Sequence, residues 1–147
     1  QSYGRIMNLH TGVSPYIKGG PNCTNWAIYL NRFDLIGNTI MWLDGGIDTG
    51  NIIATERTDI SDKDTLSTMH QKVMEHAHDL YCRCYLAFLE GRALASVPQR
   101  EIDEGRLFFT RHWTASARIL ALLNFYSTRR RITSLPSNEV ILVPLEK

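Results

Sequence analysis

Between Asp64 and Glu90 the chain runs through 27 residues without a glycine or proline, and this segment constrains the fold most. Leu66, Met69, Val73, Leu80, Cys84 and Phe88 recur at helical spacing and predict one long helix with a buried stripe. Asp62 or Asp64 is placed to cap its N-terminus and Gly91 to end it. At 1.5 Å per residue the helix would be roughly 40 Å long, more than a small sheet needs. A second amphipathic helix is predicted from Thr114, a good N-cap, to about Tyr126, with Ala117, Leu120, Leu123 and Tyr126 on one face.

The strands read more faintly. Arg5–Leu9 is a short apolar run fit for a buried strand, and Gly37–Leu43 and Asn51–Ile60 form a pair of extended segments. The tight loop Asp44-Gly-Gly-Ile-Asp-Thr-Gly between them suggests antiparallel pairing. His10 to Pro21 holds too many turn formers for regular structure, and Trp26–Leu30 predicts a short helix capped by Asn22 or Thr24. Residues 139–143 offer a final strand. The expectation is an α/β fold, with residues 1–97 as the main unit and 98–147 as a C-terminal extension.

With 147 residues there is room for one domain of ordinary size. Sixteen basic against fifteen acidic residues give a net charge of +1, which argues against binding nucleic acid through bulk charge. No apolar run approaches the roughly 20 residues of a membrane span. The N-terminus shows neither a signal peptide nor an initiator Met. Three cysteines, Cys23, Cys82 and Cys84, are odd in number and lack metal spacing, so the expectation is free thiols in a cytoplasmic setting.

Two features carry chemistry. Strand alternation puts Asn8 and His10 on one face at a strand end that opens into a Gly/Pro-rich loop, where α/β proteins place ligands. The second is Asp44–Gly50, whose glycines permit close backbone approach and whose carboxylates, Asp44 and Asp48, lie four positions apart. His70, His76 and His78 lie on the long helix, with positions 76 and 78 on different faces, so no metal site is expected. Cys82 and Cys84 read as packing residues, Arg129–Arg131 as a solvated run, and Phe109 and Trp113 as packing aromatics.

Asn8-x-His10, then Pro15, Gly19 and Ile47-Asp48-Thr49-Gly50, after the lead-in Gly4-Arg-Ile-Met, resembles the folate-dependent formyltransferases. That family includes the glycinamide ribonucleotide, methionyl-tRNA and sugar N-formyltransferases. The resemblance spans roughly residues 4–97. It departs at Gly12, where the family usually has Ser, and at the front, where the family's first βα units do not precede Gln1.

The resemblance therefore implies the C-terminal half of a Rossmann-like formyltransferase domain, a mixed sheet with flanking helices. It implies formyl transfer from 10-formyltetrahydrofolate to an amine, here a small or nucleotide-linked amino sugar. Asn8 and His10 would stabilise the oxyanion and His10 handle the proton. Asp48 would orient His10 and pass protons through water. Ile6, Leu43, Asp44, Gly45, Gly46 and Ile47 would form the pterin pocket. The alternatives are a formyltetrahydrofolate hydrolase and a catalytically silent half-domain that binds folate or a partner. Self-association, or a second chain supplying the missing half, is also expected.

Overall fold

A computed structural model describes residues 6–20, 22–134 and 140–145, without the side chains at 131, 133 and 134. The first strand, β1 (Met7–His10), begins two residues later than expected, and Arg5 lies outside the described residues. It pairs antiparallel with β3 (Gly37–Trp42), which pairs antiparallel with β4 (Ile52–Arg57). The tight loop does join an antiparallel pair. Ile40 faces Ala54 but Met41 faces Ile52, so β4 carries an extra residue at Ile53. Such a bulge bends its strand and re-aims the side chains beyond it.

The segment expected to be irregular holds a short strand. Residues Ile17–Gly19 (β2) pair in parallel with Arg106–Phe108 (β5) as a separate two-stranded sheet. Turn formers surround it, yet a three-residue strand needs only one partner, and β5 lies far away in sequence. Gly19, at φ 85°, is held so close to the Phe108 carbonyl that no Cβ fits. Thr39 pins the preceding loop to the main sheet: its Oγ1 donates to the Gly12 carbonyl at 2.7 Å and accepts from the Ser14 N–H at 2.9 Å.

Helix α1 (Cys23–Tyr29) is capped by Asn22, which accepts from the Asn25 N–H at 3.2 Å, as the sequence predicts. The long helix α2 (Leu66–Leu89) exists, but its cap is Thr65 rather than Asp62 or Asp64. Thr65 and Thr68 form a reciprocal capping box, and Asp64 is used instead to bind the Ser61 N–H, Thr68 and Lys72. Gly91 adopts φ 73° directly after the C-cap, as expected. Phe88 is exposed, against expectation; Ala77 and Ala87 complete the buried stripe with Met69, Val73, Leu80 and Cys84. Of the two thiols read as packing, Cys84 is buried and Cys82 is exposed.

Two apolar clusters explain the length of α2. Met69 and Val73 enter one with Trp26, Ile28, Phe33 and Phe108, whereas Leu80 and Cys84 enter another with Ile40, Ile53 and Ala54. One helix therefore spans both the main sheet and the region around α1. Trp26 is central, stacking on Phe108 at 4.3 Å and meeting Trp113 edge-on at 4.7 Å.

Helix α3 (Ala115–Thr128) starts at Thr114, as predicted, but buries a different face. Ala117, Ala121, Phe125 and Thr128 point inward, while Leu120, Leu123 and Tyr126 are exposed. Small residues let α3 approach α1 closely enough for Asn124 to donate to the Ile28 and Tyr29 carbonyls at 3.2 and 2.8 Å. The final strand is absent from the described residues, of which Glu139 is not one. Residues 140–145 instead run beside β4, with the Thr55 N–H bonded to the Val143 carbonyl at 2.7 Å. No helix among the described residues is long and apolar enough to cross a membrane.

Candidate active site

Asp48 is the hub of the site. Its Oδ1 accepts from Asn8 Nδ2 at 3.2 Å, and its Oδ2 accepts from the Gly19 N–H at 2.9 Å. The same Oδ2 lies 3.3 Å from His10 Nδ1. Asn8 and His10 reach one carboxylate because residues two apart on a strand share a face. The loop after β3 folds back across the end of β1 and delivers Asp48 to that face. Asp48 sits at φ 51°, a left-handed conformation uncommon outside glycine, asparagine and aspartate.

His10 is buried and engaged at both nitrogens. Its Nε2–H donates to the Ile17 carbonyl at 3.0 Å. Both neighbours, Ile17 O and Asp48 Oδ2, are acceptors, so a ring protonated at both nitrogens donates to both. Cys23 Sγ lies 3.6 Å from Nε2 and donates to the Gly19 carbonyl at 3.3 Å. Burial, helped by the Asp48 charge, pushes the Cys23 thiol up to about 12. It remains a neutral thiol rather than a nucleophile. The departure at Gly12 fits this packing, since a Cβ there would lie 2.7 Å from Cys23 Cβ and 2.8 Å from His10 Nε2.

The remaining expected residues are exposed. The Leu43 N–H donates to the Ile6 carbonyl at 2.7 Å, extending the β1–β3 ladder to the edge of the site. Ile6, Leu43 and Ile47 are 49, 36 and 53% exposed, so they do not form the walls of a closed cleft. Asp44 is a loop residue: its Oδ1 accepts from the Gly46 N–H at 3.0 Å and from Thr49 Oγ1 at 2.7 Å. Gly46 is held against Thr49, which a Cβ would strike, whereas Gly45 has open space around it. Thus only Gly45 leaves room for a ligand over its backbone.

Gln99 belongs to the site, and sequence reasoning missed it. Its buried Nε2 donates to the carbonyls of Asp48 and Gly50, both at 2.8 Å. The histidines of α2 serve elsewhere. His76 bridges Thr58 and Glu56, both at 3.0 Å, and His70 meets Asn25 at 3.1 Å. Among the described residues, no group of three or more His, Cys, Asp or Glu is arranged to hold a metal ion.

Residues 1–85 match the family profile described as formyl transferase. The chain belongs to the formyl transferase family. Its relatives include the methionyl-tRNA formyltransferase of Clostridium tetani, 33% identical over 102 residues, which are 69% of this chain and 31% of that protein. The corresponding Bacteroides fragilis enzyme is 35% identical over 96 residues, 65% of this chain and 29% of its own. Among solved structures, the formyltransferase PseJ from Anoxybacillus kamchatkensis, in complex with a UDP-linked formamido sugar and tetrahydrofolate, superposes with a TM-score of 0.66 at 25% identity. That match covers 76% of this chain and 56% of PseJ. An N-formyltransferase from Helicobacter canadensis, 20% identical with a TM-score of 0.66 and covering 82% of this chain and 47% of its own, shares the fold. This formyl transferase chain thus spans about a third of the curated relatives and about half of these solved structures.

Proposed function

We propose that this chain carries the reacting groups for formyl transfer from 10-formyltetrahydrofolate to an amine. The observation that supports it best is the convergence of Asn8, His10 and the Gly19 N–H on the Asp48 carboxylate. Formyl transfer needs a hydrogen-bond donor at the carbonyl oxygen and a route for the amine proton. Asn8 Nδ2 spends one hydrogen on Asp48 and has a second for the developing oxyanion. His10 becomes available when its ring exchanges the Asp48 or Ile17 contact for the substrate. Asp48 holds the ring in place and, through water, takes the proton that the amine loses.

The tetrahydrofolate carrier supplies an activated formyl group and a leaving nitrogen that accepts a proton. The exposed apolar side chains of Ile6, Leu43 and Ile47, with the uncrowded Gly45, suit the flat face of a pterin. Asp44 shapes that loop.

For the acceptor we propose a small amine on a nucleotide-linked sugar. The PseJ complex and a net charge of +1 favour this over a polyanionic acceptor. A methionyl-tRNA acceptor is the second reading, favoured by the relatives at 33 and 35% identity. The test measures tetrahydrofolate release from 10-formyltetrahydrofolate with an amino-sugar nucleotide, with methionyl-tRNA, and with no amine. Release only with the amino sugar supports the proposal, and release only with methionyl-tRNA replaces its acceptor. Release without amine means a hydrolase, and folate binding without release means a silent binding unit.

A further inference from the structure

We infer that Gln99 is a positioning residue, holding the Asp48 carboxylate on His10 and Asn8 through the backbone of the Asp48 loop. The inference rests on the transfer reading above and adds a residue to its machinery. Asp48 and Gly50 flank Thr49 at the return of the loop into β4. Their carbonyls both point at one amide, Gln99 Nε2, each at 2.8 Å. The amide has two N–H bonds, so it satisfies both carbonyls at once. A reversed amide would set oxygen against oxygen.

Among the described residues, Gln99 is the side chain that bonds the backbone carbonyls of Asp48 and Gly50, whereas Thr49 is tied through its own hydroxyl to Asp44. Asp48 is the one non-glycine residue of the loop at positive φ, 51°, a conformation that persists only where the surroundings impose it. Its side-chain partners constrain the carboxylate, whereas Gln99 constrains the peptide that aims it. The loop has little room to relax, because a Cβ at Gly50 would overlap the Trp42 carbonyl.

The fold delivers Gln99 with matching rigidity. Ile52 and Val97 exchange both backbone hydrogen bonds at 2.8 Å, an isolated antiparallel bridge just past the loop. Pro98 then turns the chain into the 3-10 turn Gln99–Glu101. The amide sits beside Met41 Sδ, buried under the end of β3. A residue placed by a two-sided bridge and a proline, donating to both ends of a strained turn, is built to set an angle. A buried glutamine serving only to fill space would leave Asp48 unaffected.

The experiment uses the isotopically labelled 147-residue chain and Gln99→Met, similar in length but without a donor. Heteronuclear spectra read the His10 imidazole nitrogens and the amides of Thr49 and Gly50. The result expected is displacement of all of these by more than a linewidth, with the rest of the spectrum retained. In the transfer assay, kcat should fall by about 10-fold or more with KM for the folate donor unchanged. Gln99→Asn, which keeps an amide too short to reach both carbonyls, should displace the same signals, and it decides the question if Gln99→Met does not fold. A lowered melting temperature with unmoved His10 and loop signals would overturn the inference and leave Gln99 a packing residue. If the unaltered chain shows no transfer while the signals move, the transfer reading fails and the positioning role stands.

Discussion

Asp48 accepts from Asn8 and the Gly19 N–H and faces His10 Nδ1, and its value to the site lies in charge as much as shape. Asparagine tolerates the left-handed backbone, so Asp48→Asn should fold with a melting temperature close to the parent. Without a carboxylate to orient His10 and relay the proton, turnover should drop by about 100-fold or more, as a folate-coupled assay would read. Thiol reactivity offers a second check. Exposed Cys82 should be alkylated readily at pH 8, whereas Cys23, buried with its pKa pushed up to about 12, should stay unmodified in folded protein. Mass spectrometry of peptides after brief labelling separates the two, and fast labelling of Cys23 would contradict the packing against His10. Strand alternation made the shared face of Asn8 and His10 legible, whereas Asp48 was singled out by the resemblance of Ile47-Asp48-Thr49-Gly50 to the family motif. Gln99 was not, since it recognises backbone carbonyls, which any sequence supplies, from 49 and 51 residues away.

The elements show where periodicity decides and where it does not. In α2 the polar face is unambiguous, so the helix and its glycine stop could be read, and Leu80→Ala should cost about 3 kcal/mol in denaturant unfolding. In α3 apolar residues occur all round, and the sequence pattern joined Ala117 to the larger Leu120 and Leu123; close approach to α1 kept Ala117 but paired it with Ala121 and Phe125 instead. Strands as short as β2 carry no period at all, and β2 depended on a partner almost ninety positions on. Packing of α2 on β4 also has an acid signature. Arg83 and then His76 hold the Glu56 carboxyl down to about 2 from its ordinary 4.5. A depressed acid stabilises the fold above its unfolded pKa and loses that contribution as pH falls toward the folded one. Glu56 is partly solvated, so the contribution is about 1 kcal/mol after screening. Melting temperatures between pH 6 and pH 2 should therefore fall more steeply for the parent than for Glu56→Gln, and parallel curves would remove Glu56 from the account.

At the scale of the whole molecule, the two edges of the main sheet differ. The outer edge of β4 is covered by the Ile52–Val97 bridge and by Val143. Outside β1, no strand among the described residues pairs with Met7–His10, and the sheet order ends there. Unpaired edges template further strands. Leu123 and Tyr126 of α3, 62 and 64% exposed, and Leu86 and Leu89 of α2 add apolar surface that a stable monomer seldom leaves open. The 147-residue chain by itself should therefore self-associate. Sedimentation at rising concentration should show species above the 16.8 kDa monomer. Leu123→Lys should weaken association if the α3 face drives it, whereas Leu9→Pro should do so if pairing at β1 does, because proline removes a ladder donor. The same edge bears Asn8 and His10, so whatever covers β1 also walls the site on that side. Association through β1 should consequently slow hydrogen exchange at Met7 and Leu9, whose N–H groups point away from β3 when Ile6 and Leu43 form a hydrogen-bonded pair. A chain that stays monomeric across the concentration range and still transfers formyl groups at full rate would show that β1, with Asn8 and His10, needs no cover at all.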